Sequence, residues 1–267
     1  MADVKHRVVK VAVRHARSVN NELAALGNPD TDRVGGYQPK VALAPAGAEQ
    51  ARKFGRVAFG EGGELADILG APYRVVRFSS GPARRARDTA WEIQSESGPA
   101  LQRLPLLINP TLHEQRKGHR WLGGDEKRLR SIVETPAYKA RREGQGWDFR
   151  CGRLLVNRLG LYALHGAETP REAGARMVCW YEDIPPVSEE DLQSDDLLVD
   201  IAVGHGLATR YGTAMLLHSD PEDPYDIGVT VQEADQRYNM PNASAFVLAS
   251  ADSGLWVEQG RIIPDHS

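Results

Sequence analysis

The chain has 267 residues and 41% hydrophobic content, enough for one large α/β domain with an ordinary core. Its 33 Lys and Arg against 36 Asp and Glu leave a formal charge of -3, so no overall basic excess points to nucleic acid or an anionic membrane. Cys151 and Cys179 make neither a disulfide framework nor a metal-ligand spacing, Met1 to Lys10 lacks the apolar stretch of a signal peptide, and no run reaches the roughly 18 apolar residues of a membrane span.

In chain order, Arg7 to Val13 reads as a buried strand that ends at Arg14-His15-Ala16, with Ser18 and Asn21 following. Ala46 to Gly55 carries helix formers with apolar residues at three and four spacing. Tyr73 to Phe78 is a second strand, Ala83 to Ile93 a second helix, and Pro170 to Ile184 a third. Leu197 to Val203 is another buried strand and Leu207 to Leu217 the helix after it. Alternation of this kind predicts an α/β fold in three layers, a mostly parallel central sheet with helices on both faces, as one domain over residues 1–267. Two stretches interrupt the order. Gln115 to Glu168 is rich in Lys and Arg and holds Trp121, Tyr138, Trp147 and Phe149, while Ser188 to Asp200 is acidic without Lys or Arg. Both read as insertions over the sheet edge, the basic one as a lid that attracts an anionic substrate or, more plainly, as a solvated surface.

Parallel strands deliver their carboxyl ends to one edge, where the N-termini of the following helices favour phosphate. A neutral imidazole at that edge can attack phosphorus if its other ring nitrogen is held by an acceptor, and Arg14 beside His15 neutralises charge on the transferring oxygens. Arg84, Arg85 and Arg87 all open the second helix, and any of them can bring a second guanidinium to the same anion. In Gly204-His205-Gly206, small neighbours let another imidazole approach a bound oxyanion, with Leu207 and Arg210 in the helix beyond.

Taken in order, these segments resemble the histidine phosphatase superfamily, the phosphoglycerate-mutase-like proteins. The family's Arg-His-Gly-x-Ser-x-x-Asn appears as Arg14 to Asn21, and its Leu-Thr-x-x-Gly-x-x-Gln-Ala helix signature as Leu43 to Ala51. Its Ser-Ser-Pro-Leu-x-Arg-Ala-x-x-Thr-Ala maps to Ser80 through Ala90, which selects Arg85. Gly-Glu-Ser appears as Gly166-Ala167-Glu168-Thr169, Ser-His-Gly as Gly204-His205-Gly206, and the Asn-x-Ser that leads into the family's last strand as Asn242-Ala243-Ser244.

The resemblance implies a nucleophile at His15, a phosphate pocket of Arg14, Arg85 and His205, and a proton donor at Glu114, with Glu168 as its rival. It implies that Ser18, Asn21, Gly206 and Leu207 contact the substrate, and that Arg141-Arg142 stand where mutases bind a substrate carboxylate. A carboxylic acid kept protonated would relieve a poor alkoxide leaving group by about 10²- to 10⁴-fold. The expected activity is a phosphomonoester hydrolase acting on a small phosphorylated metabolite through a phosphohistidine, in the cytoplasm, with no metal or cofactor and no nucleic-acid or membrane partner. A homodimer is left open. A phosphoglycerate-type mutase is the second reading, weakened by Glu143 to Trp147 where mutases carry a proline-rich stretch, and a non-catalytic phospho-ligand binding protein is the third. Three positions depart from the family: Ala16 for Gly, Gly81 for Ser and Gly204 for Ser. The methyl of Ala16 is harmless at negative φ and strained at positive φ.

Overall fold

The computed structural model describes residues 7–26, 40–114, 170–218, 231–251 and 255–264. Its strands are β1 (Val8–Arg14), β2 (Tyr73–Ser80), β3 (Leu106–Ile108), β4 (Leu197–Gly204), β5 (Ala245–Ser250) and β6 (Trp256–Ile262). They form one sheet in the order β3-β2-β4-β1-β5-β6. β3, β2, β4 and β1 run parallel to one another, and β5 lies antiparallel to both β1 and β6. The mostly parallel sheet expected from the sequence is therefore present, with one reversed strand. β5 is not the last strand that the Asn-x-Ser resemblance implies, because β6 follows it.

The helices are α1 (Val19–Ala25), α2 (Pro45–Phe59), α3 (Glu64–Leu69), α4 (Arg84–Glu96), α5 (Pro99–Gln102), α6 (Pro170–Glu182), α7 (Glu189–Gln193), α8 (Gly206–His218) and α9 (Val231–Arg237). A single 3₁₀ turn, Pro110–Leu112, follows β3. Pro45 opens α2, where a missing N–H costs nothing. One stripe of α2, Ala51, Phe54, Ala58 and Phe59, is buried, as is Ala86, Ala90 and Ile93 on α4. Such spacing puts each set on one helix face.

Val9, Val11 and Val13 alternate along β1 and pack with those stripes on one side of the sheet. Ala12 faces the other side, where it meets Met177, Trp180 and Tyr181 of α6, Tyr211 and Ala214 of α8, and Phe246 and Leu248 of β5. Two cores on opposite faces give the three-layer arrangement, and each fully buried Phe or Leu within them contributes roughly 1.5–3 kcal/mol.

One polar row crosses the second face. Lys10 and Asp200 are register partners between β1 and β4, and Arg77 pairs with Asp200 between β2 and β4. Lys10 Nζ donates to Asp200 Oδ2 at 2.6 Å, and Arg77 donates to Asp200 Oδ1 at 3.0 Å and Oδ2 at 2.6 Å. Lys10 also donates to Trp180 O at 3.0 Å and to Asp183 O, so a cation closes the C-terminal end of α6. Burial pulls the Lys10 ammonium below its ordinary value, and Asp200 opposes that. The acidic stretch Ser188 to Asp200 is thus not an insertion. Ser188 caps α7 in a reciprocal pair with Asp191, and Leu197 to Asp200 enters the middle of the sheet. The basic segment 115–168 lies outside the described residues.

Candidate active site

Strands β2, β4 and β1 are neighbours, and the backbone ladder continues past their ends. His15 N donates to Gly204 O at 3.0 Å, Gly81 N to Val203 O at 2.9 Å, and Asn109 N to Ser80 O at 2.8 Å. The residues that follow each strand are therefore stacked along one edge, and side chains from four loops converge there. His15 follows β1, Arg85 lies in the first turn of α4 after β2, Glu114 follows the 3₁₀ turn after β3, and His205 follows β4.

Arg85 is the hub. Its Nε lies 3.3 Å from His15 Nε2, its Nη2 lies 3.5 Å from His205 Nδ1, and the same nitrogen is ion-paired with Glu114 Oε2. His205 Nδ1 is 3.6 Å from that carboxylate oxygen, and the two imidazoles meet edge to face with centroids 5.1 Å apart. The sequence points to a protonated acid at Glu114, whereas the structure shows its carboxylate engaged by a guanidinium. Of the three arginines that open α4, Arg85 alone is buried; Arg84 and Arg87 are exposed.

The ring of His15 is oriented by its own backbone. Its Nδ1 lies 2.7 Å from Ala16 O, and a carbonyl can only accept, so the hydrogen sits on Nδ1 and neutral His15 presents Nε2 as a lone pair. Burial first, then the charges of His205, Arg85 and Arg14, hold its pKa well below 6.5. His205 is held down at about 3, again chiefly by burial, with Glu114 opposing and Arg85 reinforcing. Both rings are therefore neutral at physiological pH.

Since both folded values lie below the ordinary 6.5, the unfolded chain takes up protons first as the pH drops. Stability from these two groups is full above pH 6.5 and is lost as the pH falls toward the folded values, each contributing up to about 1.4 kcal/mol per pH unit. Thermal midpoints are expected to fall between pH 7 and pH 5, and a His15→Asn, His205→Asn double variant is expected to show a shallower slope. An unchanged slope would count against both buried neutral imidazoles.

The loop around His15 is held from three sides. Ala16 N donates to Thr89 Oγ1 at 3.0 Å, and that hydroxyl donates to Arg85 O at 2.7 Å, so one threonine joins the His15 loop to the helix of Arg85. Arg17 N donates to Gln50 Oε1 at 3.2 Å, and a Cβ on Gly47 would stand 1.8 Å from Arg17 O. Gly47 and Gln50 of the α2 signature therefore exist to let that helix grip the loop. On the third side, Arg14 Nη1 donates to Met240 O and Arg14 N to Ser244 O at 2.9 Å. Gly206 lies beneath this guanidinium, where a Cβ would meet Arg14 Nε at 2.9 Å.

Ala16 is not strained, since Ala243, at φ 51°, is the one non-glycine residue with positive φ among those described. Gly204 has room for a serine, its nearest neighbours being 3.8 Å from a built Cβ, whereas a Cβ on Gly81 would lie 2.5 Å from Leu112 O. Gly81 thus lets the segment that carries Glu114 lie against the end of β2. Ser18 and Asn21 spend their hydrogen bonds on each other at the start of α1, with Ser18 Oγ and N donating to Asn21 Oδ1 at 2.9 and 3.0 Å. Leu207 packs on the second core. Arg141, Arg142 and Glu168 lie outside the described residues. Among those described, no three His, Cys, Asp or Glu side chains are grouped to hold a metal ion, and no helix is long and apolar enough to cross a membrane.

No family model and no curated protein matches the sequence. Solved structures do. A phosphoglycerate mutase from Bacillus anthracis superposes with a TM-score of 0.57 at 18% identity, over 97% of this chain and 92% of that one. A mycobacterial glucosyl-3-phosphoglycerate phosphatase gives 0.51 at 20% identity over 94% and 96%, and a phosphoserine phosphatase from Entamoeba histolytica gives 0.51 at 14% over 97% and 98%. The chain has the phosphoglycerate-mutase-like fold. The neighbours that share this fold include phosphatases and a mutase, and the resemblance carried by the motifs is matched at the level of the fold.

Two residues of the candidate site escape a sequence reading. Arg176 donates to Thr111 O and, at 3.0 Å, to His113 O, and Met240 O holds Arg14. Their partners are 63 or more positions away, and neither residue carries a local pattern.

Proposed function

We propose that the protein is a phosphomonoester hydrolase that works through a phosphohistidine at His15 on a small phosphorylated metabolite. The observation that supports this best is a His15 Nε2 that carries no hydrogen and accepts from Arg85 Nε at 3.3 Å, next to a carboxyl group. In the reaction the monoprotonated phosphate ester binds between Arg85, Arg14 and His205; its oxygens take over the Arg85 N–H groups from His15 Nε2 and Glu114, and the Glu114 carboxylate, freed from the guanidinium, takes the proton of the ester. His15 Nε2 attacks phosphorus while the ester P–O bond breaks. Its electron pair goes to the leaving oxygen, which takes a proton from the Glu114 carboxyl. Water then gives a proton to the Glu114 carboxylate and attacks the phosphohistidine, and the P–N electron pair returns to His15.

The neighbours favour this class without choosing the member, since the mycobacterial protein is a glucosyl-3-phosphoglycerate phosphatase and the Bacillus anthracis protein a phosphoglycerate mutase. Release of inorganic phosphate decides. Purified protein is expected to hydrolyse p-nitrophenyl phosphate, and to do so in EDTA, because the charge needed in the pocket comes from guanidinium and imidazole. Glu114→Gln is expected to slow an alkyl phosphate by about 10²- to 10⁴-fold while slowing p-nitrophenyl phosphate little, since nitrophenolate scarcely needs a proton. Transfer of phosphate between the positions of a phosphoglycerate without release would establish the mutase instead. Phosphate binding with no turnover of either substrate would mark a binding protein.

A further inference from the structure

We propose that Arg176 is a positioning residue for the acid, holding the Glu114 carboxyl at the phosphoryl pocket by fixing the backbone that leads to it. This rests on the assignment of Glu114 as proton donor. Arg176 is partly buried in the middle of α6, and its Nη1 donates to both Thr111 O and His113 O. These carbonyls belong to the last residues of the 3₁₀ turn Pro110–Leu112 and its C-cap His113, where a helix end leaves carbonyls in need of donors. His113 O belongs to the peptide unit that joins Glu114, so holding it sets the plane of that peptide and with it the place of Glu114 Cα.

Helix α6 is itself closely packed. A Cβ on Gly212 would stand 2.4 Å from Met177 Cβ, and one on Gly174 2.7 Å from Met215 Sδ, so α6 lies flush against α8. Helix α8 begins at Gly206, directly after His205. Lys10 closes the far end of α6 through Trp180 O and Asp183 O. On the opposite side, Gly81 lets the end of β2 press on Leu112 O, where a Cβ would come within 2.5 Å. Residues 110–114 are therefore held between β2 and Arg176. Proton transfer needs the donor within hydrogen-bond reach of the leaving oxygen, and a displacement of about 1 Å can cost roughly 10²-fold.

The readout is the ratio of kcat/KM for p-nitrophenyl phosphate to that for glycerol 2-phosphate. Arg176→Met is expected to raise this ratio by about 10²-fold, with p-nitrophenyl phosphate changed less than about threefold. Arg176→Lys, which keeps a charged donor, is expected to restore the ratio to within about tenfold of the parent. Adding Arg176→Met to Glu114→Gln is expected to raise the ratio no further than Glu114→Gln alone, because both changes remove the same proton transfer. If Arg176→Met does not fold, Arg176→Gln, a neutral donor of shorter reach, takes its place under the same criterion. A variant that slows both substrates equally, or neither, overturns the role of Arg176 while leaving Glu114 as the acid. A ratio unmoved by Glu114→Gln overturns the acid assignment and this proposal with it.

Discussion

Replacing His15 by alanine is expected to abolish turnover and the covalent intermediate together. Quenching the parent enzyme with labelled substrate under non-acidic conditions is expected to trap a base-stable, acid-labile phosphoryl adduct, and His15→Ala to trap none. The rate is expected to fall on the order of 10⁴-fold or more, since no other described side chain stands ready as nucleophile beside Arg85. His205 is the nearest imidazole, but its Nδ1 faces the Arg85 guanidinium at 3.5 Å and the Glu114 carboxylate at 3.6 Å. An adduct that persists in His15→Ala would transfer the role to that ring.

The largest effect on stability is expected at Asp200, far from the chemistry. This carboxylate is fully buried between Lys10 and Arg77. Asp200→Ala leaves two cations facing each other in the second core, and loss of one partner from a buried ion pair costs about 3–5 kcal/mol. That is a large share of a typical 5–15 kcal/mol total and corresponds to roughly a 10 °C fall in thermal midpoint. Replacing Lys10 as well, in Lys10→Met with Asp200→Leu, is expected to recover part of the loss, because the buried ammonium is gone and Arg77 keeps its ion pair with Asp183 at 2.6 Å. A single variant that melts like the parent would show that the row is solvated or redundant.

Much of the fold and of the candidate site is legible in the sequence because the informative residues follow strands. Val8 to Val13 and Leu197 to Val203 are apolar runs that only a buried strand explains, and His15 and His205 come straight after them. Other features are illegible for physical reasons. β3 is three residues long, with Leu107 and Ile108 exposed, too short to show a period. β6 alternates Trp, Val, Glu, Gln, Gly and Arg, a half-exposed pattern without a clean apolar face. Asp200 looks like the end of an acidic surface run because its partner Lys10 stands 190 positions earlier, and only the register of β1 on β4 brings the two together. Arg176 shares that difficulty, since what it does depends on two carbonyls that no composition or spacing marks.

The hydrogen bond from His15 Nδ1 to Ala16 O has a consequence for how the site can change over generations. Where a carboxylate orients a catalytic imidazole, one substitution removes the acceptor and scrambles the tautomer. Here the acceptor is a peptide carbonyl, which every amino acid supplies. No amino-acid substitution at position 16 deletes it, so the nitrogen of His15 that carries the hydrogen is sheltered from drift as long as the loop keeps its path. The neighbouring side chains can then vary while the tautomer of this ring is inherited intact.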